Sequence, residues 1–377
     1  MALRISDRFP EGNVRVLKVS RADNVVEVEF TPETRGSPRV TWFYFKMSED
    51  NDKNKLPLPE TLALTLCFAD NIGHEDNTDA CRPVFREIDK NWVRLKRPDK
   101  KLSDDGVLSL TWHVPYPAAP SEFAFCFPFG REELETLKRQ SRGYWTERNI
   151  GITHSGRMLK RLNNSIYKGC DACSNPRGLF LVARENGGET PGSWVLDGML
   201  DAISRAKPVN WCVWAIPFAN LDDVCRGRYI ADESFKEQKL NPKDKRPDLY
   251  ETYIIKNDLQ RWAKRCNPAL VLSLCASPAL DSAGVRLVDN LIQEGGTNSH
   301  TSENEAWINM FAQALNPEYG SEKFQADEKS SSCWLIPSLR SFLENEPKCG
   351  ALTLEIHLHL PVKHYCCKSN IGKLENV

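Results

Sequence analysis

Residues 13–128 of this chain carry short runs in which apolar and polar positions alternate, separated by polar turns. Alternation with a period of two residues is typical of half-buried antiparallel strands. Several short strands in a stretch of this length predict a β-sandwich. The predicted strands cover residues 14–18, 25–30, 40–46, 61–68, 92–95, 107–114 and 122–128.

From Gly143 onward the rhythm changes, and longer helical patterns alternate with apolar runs. Such alternation is typical of a layered α/β domain with a largely parallel or mixed sheet. The change predicts two domains, a β-sandwich over residues 1–140 and an α/β domain over residues 141–377. In the second domain, strands are predicted at 179–184, 211–218, 269–275 and 351–360, and helices at 193–205, 249–265, 281–294, 303–315 and 335–344.

One turn in the second domain joins a buried strand to a helix and holds two polar side chains. The apolar run 179–184 ends near the pair Gly187-Gly188, which lets the backbone turn sharply. The pair Thr190-Pro191 suits the N-cap and first turn of a helix. Asn186 and Glu189 therefore lie at the carboxyl end of a strand, where open α/β sheets bind ligands. The alternative is that both are ordinary turn residues without a ligand.

The balance of charges narrows the classes of partner. Lys plus Arg number 50 and Asp plus Glu number 51, so no bulk charge favours nucleic acid or an anionic membrane surface. No apolar stretch approaches the ~20 residues that a membrane helix needs, and the N-terminus lacks the apolar core of a signal peptide. We therefore expect a cytoplasmic protein without a nucleic-acid or membrane partner, whose 13 cysteines are thiols.

The segment 179–198 resembles the zinc-binding segment of the metallocarboxypeptidases. In the cytosolic carboxypeptidase branch the turn reads Ala-Arg-x-His-(Pro or Ala)-Gly-Glu-Thr, and here it reads Ala-Arg-Glu-Asn-Gly-Gly-Glu-Thr, followed by a similar Ser-Trp-Val helix. The Trp-Phe-Tyr-Phe run at 42–45 is similar to one in the β-sandwich that precedes the catalytic domain of that branch. The resemblance implies a mixed-sheet α/β/α carboxypeptidase-like domain preceded by an antiparallel β-sandwich.

The resemblance places three residues at the zinc-ligand positions, and two of the three are altered. Asn186 stands where the family has histidine, Glu189 matches the carboxylate ligand, and Cys275 stands at the last histidine position. Ser273 replaces the acidic residue beside it. Because zinc is held by His nitrogen, Cys sulfur or carboxylate oxygen, the Asn amide is a weak donor. The implied zinc site is therefore weaker than the family's, and the alternative is that Cys275 is a buried apolar thiol.

The last predicted strand carries the implied catalytic residue. Glu355 matches the family's catalytic glutamate in Ala-Leu-Thr-Leu-Glu-Ile. Side chains two residues apart on a strand share a face, so His357 could supply a ligand beside it. The alternative is a polar strand face with hydrogen-bonded histidines. We predict that Glu189 and Glu355 face one cleft at the carboxyl ends of the inner strands.

A second constellation in this family grips the terminal carboxylate of the substrate. Residues 216–224 resemble the Pro-x-x-Asn-Pro-Asp-Gly-Val segment that precedes it, with Asp223 where glycine is usual. The downstream Asp-x-Asn-Arg element is incomplete, and the cations available for a bidentate contact with a carboxylate include Arg226. Solvated loop side chains are the alternative. The candidate substrate-binding residues for a peptide or protein C-terminus are Arg228, Asn241 and Arg246.

Two functions follow from the resemblance. The first is hydrolysis of C-terminal residues from peptides or proteins, with a weakened zinc site at Asn186, Glu189 and Cys275. The second is a catalytically inactive pseudo-carboxypeptidase that acts as a peptide-binding or scaffolding module. Even altered neighbours of metal ligands cost about 10-fold to 100-fold in metal affinity, so two replaced ligand positions weigh against activity.

Overall fold

The structure is a computed structural model, and it describes residues 3–37, 40–49, 59–71, 81–164, 175–229, 250–277, 285–288, 301–319, 324–327 and 349–357. Within these ranges, the strands of the N-terminal half are β1 Leu3–Ser6, β2 Arg15–Ala22, β3 Val25–Thr31, β4 Tyr44–Glu49, β5 Thr61–Leu66, β6 Val84–Glu87, β7 Val93–Arg94, β8 Asp99–Leu102, β9 Leu108–Pro115 and β10 Ser121–Ala124, with a 3₁₀ turn at Ala69–Asn71.

These strands form two five-stranded sheets, in the orders β1-β4-β10-β6-β7 and β2-β3-β5-β9-β8. Neighbouring strands run antiparallel, apart from β3 and β5, which pair in parallel from Val25–Thr61 to Phe30–Leu66. Each of the predicted strand segments overlaps one of these strands, whereas β1, β6 and β8 were not predicted. The core between the sheets is aromatic, and it contains the ring contacts among Phe30, Phe43, Phe45 and Phe123.

The C-terminal half forms one mixed sheet with helices packed on both of its faces. Its sheet order is β11-β12-β14-β13-β15-β18-β16-β17, with β14, β13, β15 and β18 parallel to one another. The strands are β11 Trp145–Ile152, β12 Met158–Asn164, β13 Arg177–Ala183, β14 Trp211–Ile216, β15 Asn267–Ser277, β16 Val285–Val288, β17 Phe324–Asp327 and β18 Gly350–His357. The helices are α1 Arg131–Gln140, α2 Thr190–Ala206, α3 Leu221–Arg226, α4 Tyr250–Ala263 and α5 Thr301–Tyr319.

The alternation of side chains along β13 shows how the layers are built. Leu181 and Ala183 pack in the apolar cluster that holds α1, α2 and α5. Phe180 and Val182 point to the other face, in the cluster that holds α4. Both faces are apolar, which is why central strands of parallel sheets read as nearly continuous hydrophobic runs. The predicted α/β/α layering with a preceding β-sandwich is confirmed, and the division at residue 140 stays a prediction.

The structure corrects the prediction of a helix at 281–294. Val285–Val288 form strand β16, which pairs antiparallel with β18, and the side chains of Val285 and Leu287 are buried. A short apolar run fits the periods of both a helix and a strand, and here the pairing with β18 decides for the strand. The helices predicted at 193–205, 249–265 and 303–315 correspond to α2, α4 and α5. The helix predicted at 335–344 lies outside the described residues.

Candidate functional site

The turn between β13 and α2 is held in place by backbone bonds from two directions. The N–H of Asn220 donates to the carbonyl of Arg184 at 3.0 Å, and the N–H of Gly188 donates to the carbonyl of Tyr229 at 3.0 Å. Glu189 is the N-cap residue of α2, one position before the predicted Thr190. Gly188 is required because a Cβ there would lie 2.2 Å from the Tyr229 ring. The turn is therefore covered by the segment that follows α3.

Arg184 also stabilises this turn through hydrogen bonds of its side chain. Its backbone is left-handed, with φ of 63°, and its side chain is fully buried. The guanidinium donates to the carbonyl of Gly187 at 2.8 Å, to the carbonyl of Phe129 at 2.7 Å and to the carboxylate of Glu11 at 2.9 Å. Glu11 belongs to the β-sandwich half, so this ion pair joins the two halves of the chain. Burial raises the pKa of Glu11 to about 7, although Arg184 acts in the opposite direction.

Asn186 and Glu189 are bonded to each other. The Asn186 amide nitrogen donates to Glu189 Oε1 at 2.6 Å, and both residues are 1% exposed. A histidine at position 186 would offer a ring nitrogen to a metal, whereas the amide group offers its N–H groups to the carboxylate. The Asn186 side chain thus bonds directly to the one unaltered ligand position.

Cys275 and Glu355 lie side by side at the carboxyl ends of β15 and β18. The two residues are register partners in the parallel pairing of these strands, and both are buried. Ser273 and Thr353 are register partners in the same way, two residues earlier along the strands. Adjacent strands are about 4.8 Å apart, so register partners share a face and a neighbourhood. Leu352, Leu354 and Ile356 lie in one apolar cluster, and the role predicted for the polar face of the last strand, at Glu355 and His357, stays a prediction.

Helix α2 is pressed against the end of β15. A Cβ at Gly192 would lie 2.3 Å from the carbonyl oxygen of Leu274 and 3.1 Å from the backbone nitrogen of Cys275. Glycine is therefore the only residue that permits this approach without displacing backbone. The contact brings the first turn of α2 to the strand that carries Cys275. The contact links the helix that follows Glu189 to Cys275, the register partner of Glu355. That Glu189 and Glu355 face one cleft stays a prediction.

The candidate ligands fit a zinc ion poorly. Among the residues that the structure describes, no three His, Cys, Asp or Glu side chains lie close enough together to hold a metal ion. A set of Asn186, Glu189 and Cys275 would have one thiolate, one carboxylate and one neutral amide, and the amide already bonds to the carboxylate. Cys275 and Glu189 are residue types that bind zinc well as anions, whereas the neutral amide of Asn186 is a weak zinc ligand.

A further carboxylate lies close by that sequence reasoning missed. The hydroxyl of Ser273 hydrogen-bonds Glu185 Oε1, and both side chains are fully buried. Ser273 stands where the family resemblance expects an acidic residue. The Glu185 carboxylate reaches Ser273 from the end of the neighbouring strand β13. The sequence signal was a charged residue inside an apolar strand-turn segment, because glutamate is almost never fully buried without a partner.

Arg228 is the one candidate substrate-binding residue within the described ranges, since Asn241 and Arg246 lie outside them. Its guanidinium lies 3.3 Å from Asp223 Oδ1 and donates to the carbonyl of Gly36 at 3.1 Å. Arg228 Nε is buried and has no hydrogen-bond partner among the described residues. Burial raises the pKa of Asp223, with Arg228 acting against that rise. Arg226, by contrast, is exposed and donates to Ser155 Oγ at 2.7 Å.

Comparisons with known protein sequences find cytosolic carboxypeptidases. A family model of the cytosolic carboxypeptidase N-terminal domain matches residues 5–126. Cytosolic carboxypeptidase 2 of Xenopus tropicalis is 22% identical over 272 residues, which cover 66% of this chain and 28% of that protein. Cytosolic carboxypeptidase 6 of Homo sapiens is 23% identical over 241 residues, which cover 59% of this chain and 46% of that protein. The chain therefore spans less than half the length of these curated relatives.

Solved structures share the whole fold. A metallo-carboxypeptidase from Burkholderia cenocepacia matches with a TM-score of 0.69 and 17% identity, over 95% of this chain and 90% of that one. A metallo-carboxypeptidase from Pseudomonas aeruginosa, in complex with (2-guanidinoethylmercapto)succinic acid, matches with a TM-score of 0.66 and 18% identity, over 94% and 91% of the two chains. At these identities the likeness establishes the fold. In the described parts of the chain, no helix has both the length and the apolar character needed to cross a bilayer.

Proposed function

We propose that this chain is a metallocarboxypeptidase-like protein, similar to the cytosolic carboxypeptidases, and that it binds the C-terminus of a peptide or protein without hydrolysing it. The observation that carries the proposal is the 2.6 Å bond between Asn186 and Glu189. In this arrangement the amide nitrogen of Asn186 donates to Glu189 Oε1, the oxygen of the one unaltered ligand position. The protein is accordingly a cytoplasmic pseudo-carboxypeptidase.

The chemistry of the ligand set supports the loss of turnover. A catalytic zinc in this type of site needs three protein ligands and an open position for water. Asn186 supplies a neutral amide, and the thiolate of Cys275 would make any bound metal a poorer Lewis acid than histidine would. Even a residue that only orients a metal ligand contributes about 10-fold to 100-fold to metal affinity. Altering two ligand positions should therefore lower the metal affinity by at least that factor for each position.

Arg228 supports the retention of peptide binding. The buried Nε of Arg228 has a hydrogen-bond donor left over after its contacts with Asp223 and Gly36. A guanidinium offers planar donors that match a carboxylate, so a peptide C-terminus is the ligand class that suits it. Burial of an unsatisfied donor costs about 1–3 kcal/mol, which a bound carboxylate would offset.

The second candidate is a hydrolase with a weak metal site. It is favoured by the neighbouring positions of Cys275 and Glu355, a strong zinc ligand type beside the predicted catalytic carboxylate. The two candidates differ in what zinc does. A hydrolase needs zinc to cleave the C-terminal residue from the peptide. A binding module does not need zinc to bind the peptide.

The experiment measures peptide binding and peptide cleavage on the same protein. Peptides with a free C-terminus and with an amidated C-terminus are titrated by calorimetry, with excess zinc or with chelator, and the reaction mixtures are analysed for released C-terminal residues. The proposal expects binding that needs the free carboxylate, persists in chelator and yields no released residue. Zinc-dependent release of the C-terminal residue would establish the hydrolase instead.

Arg228→Lys provides the matched test of the binding group. The lysine keeps the positive charge beside Asp223 and removes the Nε donor, so the free-carboxylate peptide should bind more weakly. Arg226→Ala is the control, because the Arg226 side chain is exposed and its guanidinium donates to Ser155 Oγ. Equal affinity of both variants and wild type would remove Arg228 from the site.

A further inference from the structure

Two cysteines meet above a glycine of the central sheet, far along β13 from the candidate site. Cys212 is the second residue of β14 and is the register partner of Gly178. Cys266 lies between α4 and β15, and its sulfur would be 2.5 Å from a Cβ built at Gly178. The absent side chain of Gly178 therefore leaves the space in which Cys266 reaches across β13 towards Cys212. Both thiols belong to the apolar cluster under α4.

The groups around Cys212 act on the pKa of its thiol. A hydrogen bond from Cys266, together with the charges of Arg161 and Arg265, lowers the pKa of Cys212 in spite of its burial. The sulfur of Cys266 also lies 3.2 Å from the carbonyl of Trp262. At Cys81 and Cys225 burial outweighs the opposing arginine charges and raises the pKa of the thiol. The thiolate is the reactive form of cysteine.

We propose that Cys212 and Cys266 form an oxidation site, at which hydrogen peroxide converts the two thiols into an intramolecular disulfide. Cys212 is 2% exposed and Cys266 is 6% exposed, so the oxidant must be about the size of water. Peroxide meets this condition, and larger disulfide reagents do not. The bridge would tie the end of α4 to β14 across β13.

The chemistry takes two steps. The Cys212 thiolate attacks one oxygen of peroxide, the O–O bond breaks, and the departing hydroxide takes a proton and becomes water, which leaves a sulfenic acid on Cys212. The sulfur of Cys266 then attacks the Cys212 sulfur, the S–O bond breaks, and the departing hydroxide takes the Cys266 proton and becomes the second water. Two thiols are oxidised by one peroxide, which is reduced to two waters.

The test treats the full chain with peroxide, blocks remaining thiols with N-ethylmaleimide under denaturing conditions, and maps tryptic peptides by mass spectrometry. The expected product links peptide 206–226 to peptide 266–286. Because these peptides also contain Cys225 and Cys275, fragment-ion spectra of the wild-type product assign the linked sulfurs without any variant.

Three variants make the assignment independent. Cys212→Ser and Cys266→Ser should both lose the linked peptide, and Cys266→Ser should accumulate sulfenic acid at Cys212, trapped by dimedone several-fold above wild type. Cys225→Ser, in the same tryptic peptide as Cys212, should keep the link. A link that survives either of the first two substitutions overturns the proposal. So does peroxide treatment that oxidises Cys225 and leaves Cys212 and Cys266 reduced.

Discussion

At the scale of single residues, the side chain at position 186 governs the chemistry of the candidate site. The sequence was sufficient to predict that Asn186 and Glu189 share a turn at a strand end, because turn and cap preferences are local. It could not show that the two side chains bond each other, or that Glu185 bonds Ser273 from the adjacent strand. The first contact depends on the side-chain conformations within the turn, and the second depends on strand register, which links residues far apart in the chain.

Restoring the two altered positions should create a metal site. Asn186→His together with Cys275→His replaces an amide and a thiol with the neutral nitrogen donors that zinc accepts, beside the existing Glu189. We expect the double variant to bind zinc at least about 10-fold more tightly than wild type, judged from the cost of altering even a ligand's neighbours. Calorimetric zinc titration measures it, with Cys212→Ser as a control remote from the site. An unchanged affinity would mean that the pocket has changed in shape as well as in ligands.

Glu11 should make stability depend on pH. Its pKa is raised by burial from an ordinary value near 4.5 to about 7 in the folded protein. A carboxyl group with a raised pKa favours folding while it is protonated, so its contribution is fully present below about pH 4.5 and is lost as the pH rises through about 7. The loss is on the order of 3 kcal/mol, since one pKa unit corresponds to about 1.4 kcal/mol.

Glu11→Gln isolates this effect, because glutamine keeps the shape and the acceptor for Arg184 and cannot ionise. Urea unfolding between pH 5 and 8 should therefore show the wild type losing stability relative to the variant as the pH rises. Parallel pH profiles for the two proteins would show that the pKa of Glu11 is not raised in the fold.

At the scale of elements, α2 is positioned by the absence of one side chain. Gly192 faces the backbone of β15 with no room for a Cβ, whereas Gly198 of the same helix has nothing within 4 Å of the same position. The helix itself was predictable from its pattern and from the Thr-Pro pair at its start. The strand β16 was not, because its four residues carry too short a pattern to exclude a helix.

Alanine at the two glycines of α2 should therefore have opposite effects. Gly192→Ala forces Leu274 and the helix apart and should lower the free energy of unfolding by about 1–3 kcal/mol. Gly198→Ala, the matched control, should raise it by up to about 1 kcal/mol, because alanine favours a helix over glycine. Urea unfolding of both variants provides the measurement. Equal destabilisation by the two substitutions would contradict the close contact of α2 with β15.

At the scale of the whole molecule, residues of the β-sandwich half bond to the turn after β13, at Arg184, and to the segment after α3, at Gly227. Besides the ion pair of Glu11, the Asn13 amide donates to the carbonyl of Gly227 at 2.7 Å and to the carbonyl of Glu33 at 3.0 Å. The β-sandwich and the α/β domain were predictable from the two different patterns of apolar residues in the sequence. Their contact was not, because Asn13 and Gly227 are 214 residues apart in the chain.

Asn13→Ala should weaken this contact between the halves. Asn13 is 2% exposed, and its side chain also accepts from the Glu33 N–H, so the variant loses three hydrogen bonds, each worth about 0.5–1.5 kcal/mol. The free energy of unfolding should fall by about 2–3 kcal/mol. Asn24→Ala, which removes one exposed bond to Glu60, should change it by less than about 0.5 kcal/mol. A similar loss in both variants would show that the Asn13 contacts contribute little.

Zinc retention at Asn186, Glu189 and Cys275 distinguishes the binding module from the hydrolase. We would first measure the zinc content of the purified protein by mass spectrometry, after equilibration with zinc and removal of the excess, in wild type and in Glu189→Ala. We expect wild type to retain far less than one zinc per chain and the substitution to change nothing. One zinc per wild-type chain, lost in Glu189→Ala, would show that the three residues hold the metal and would overturn the proposed function.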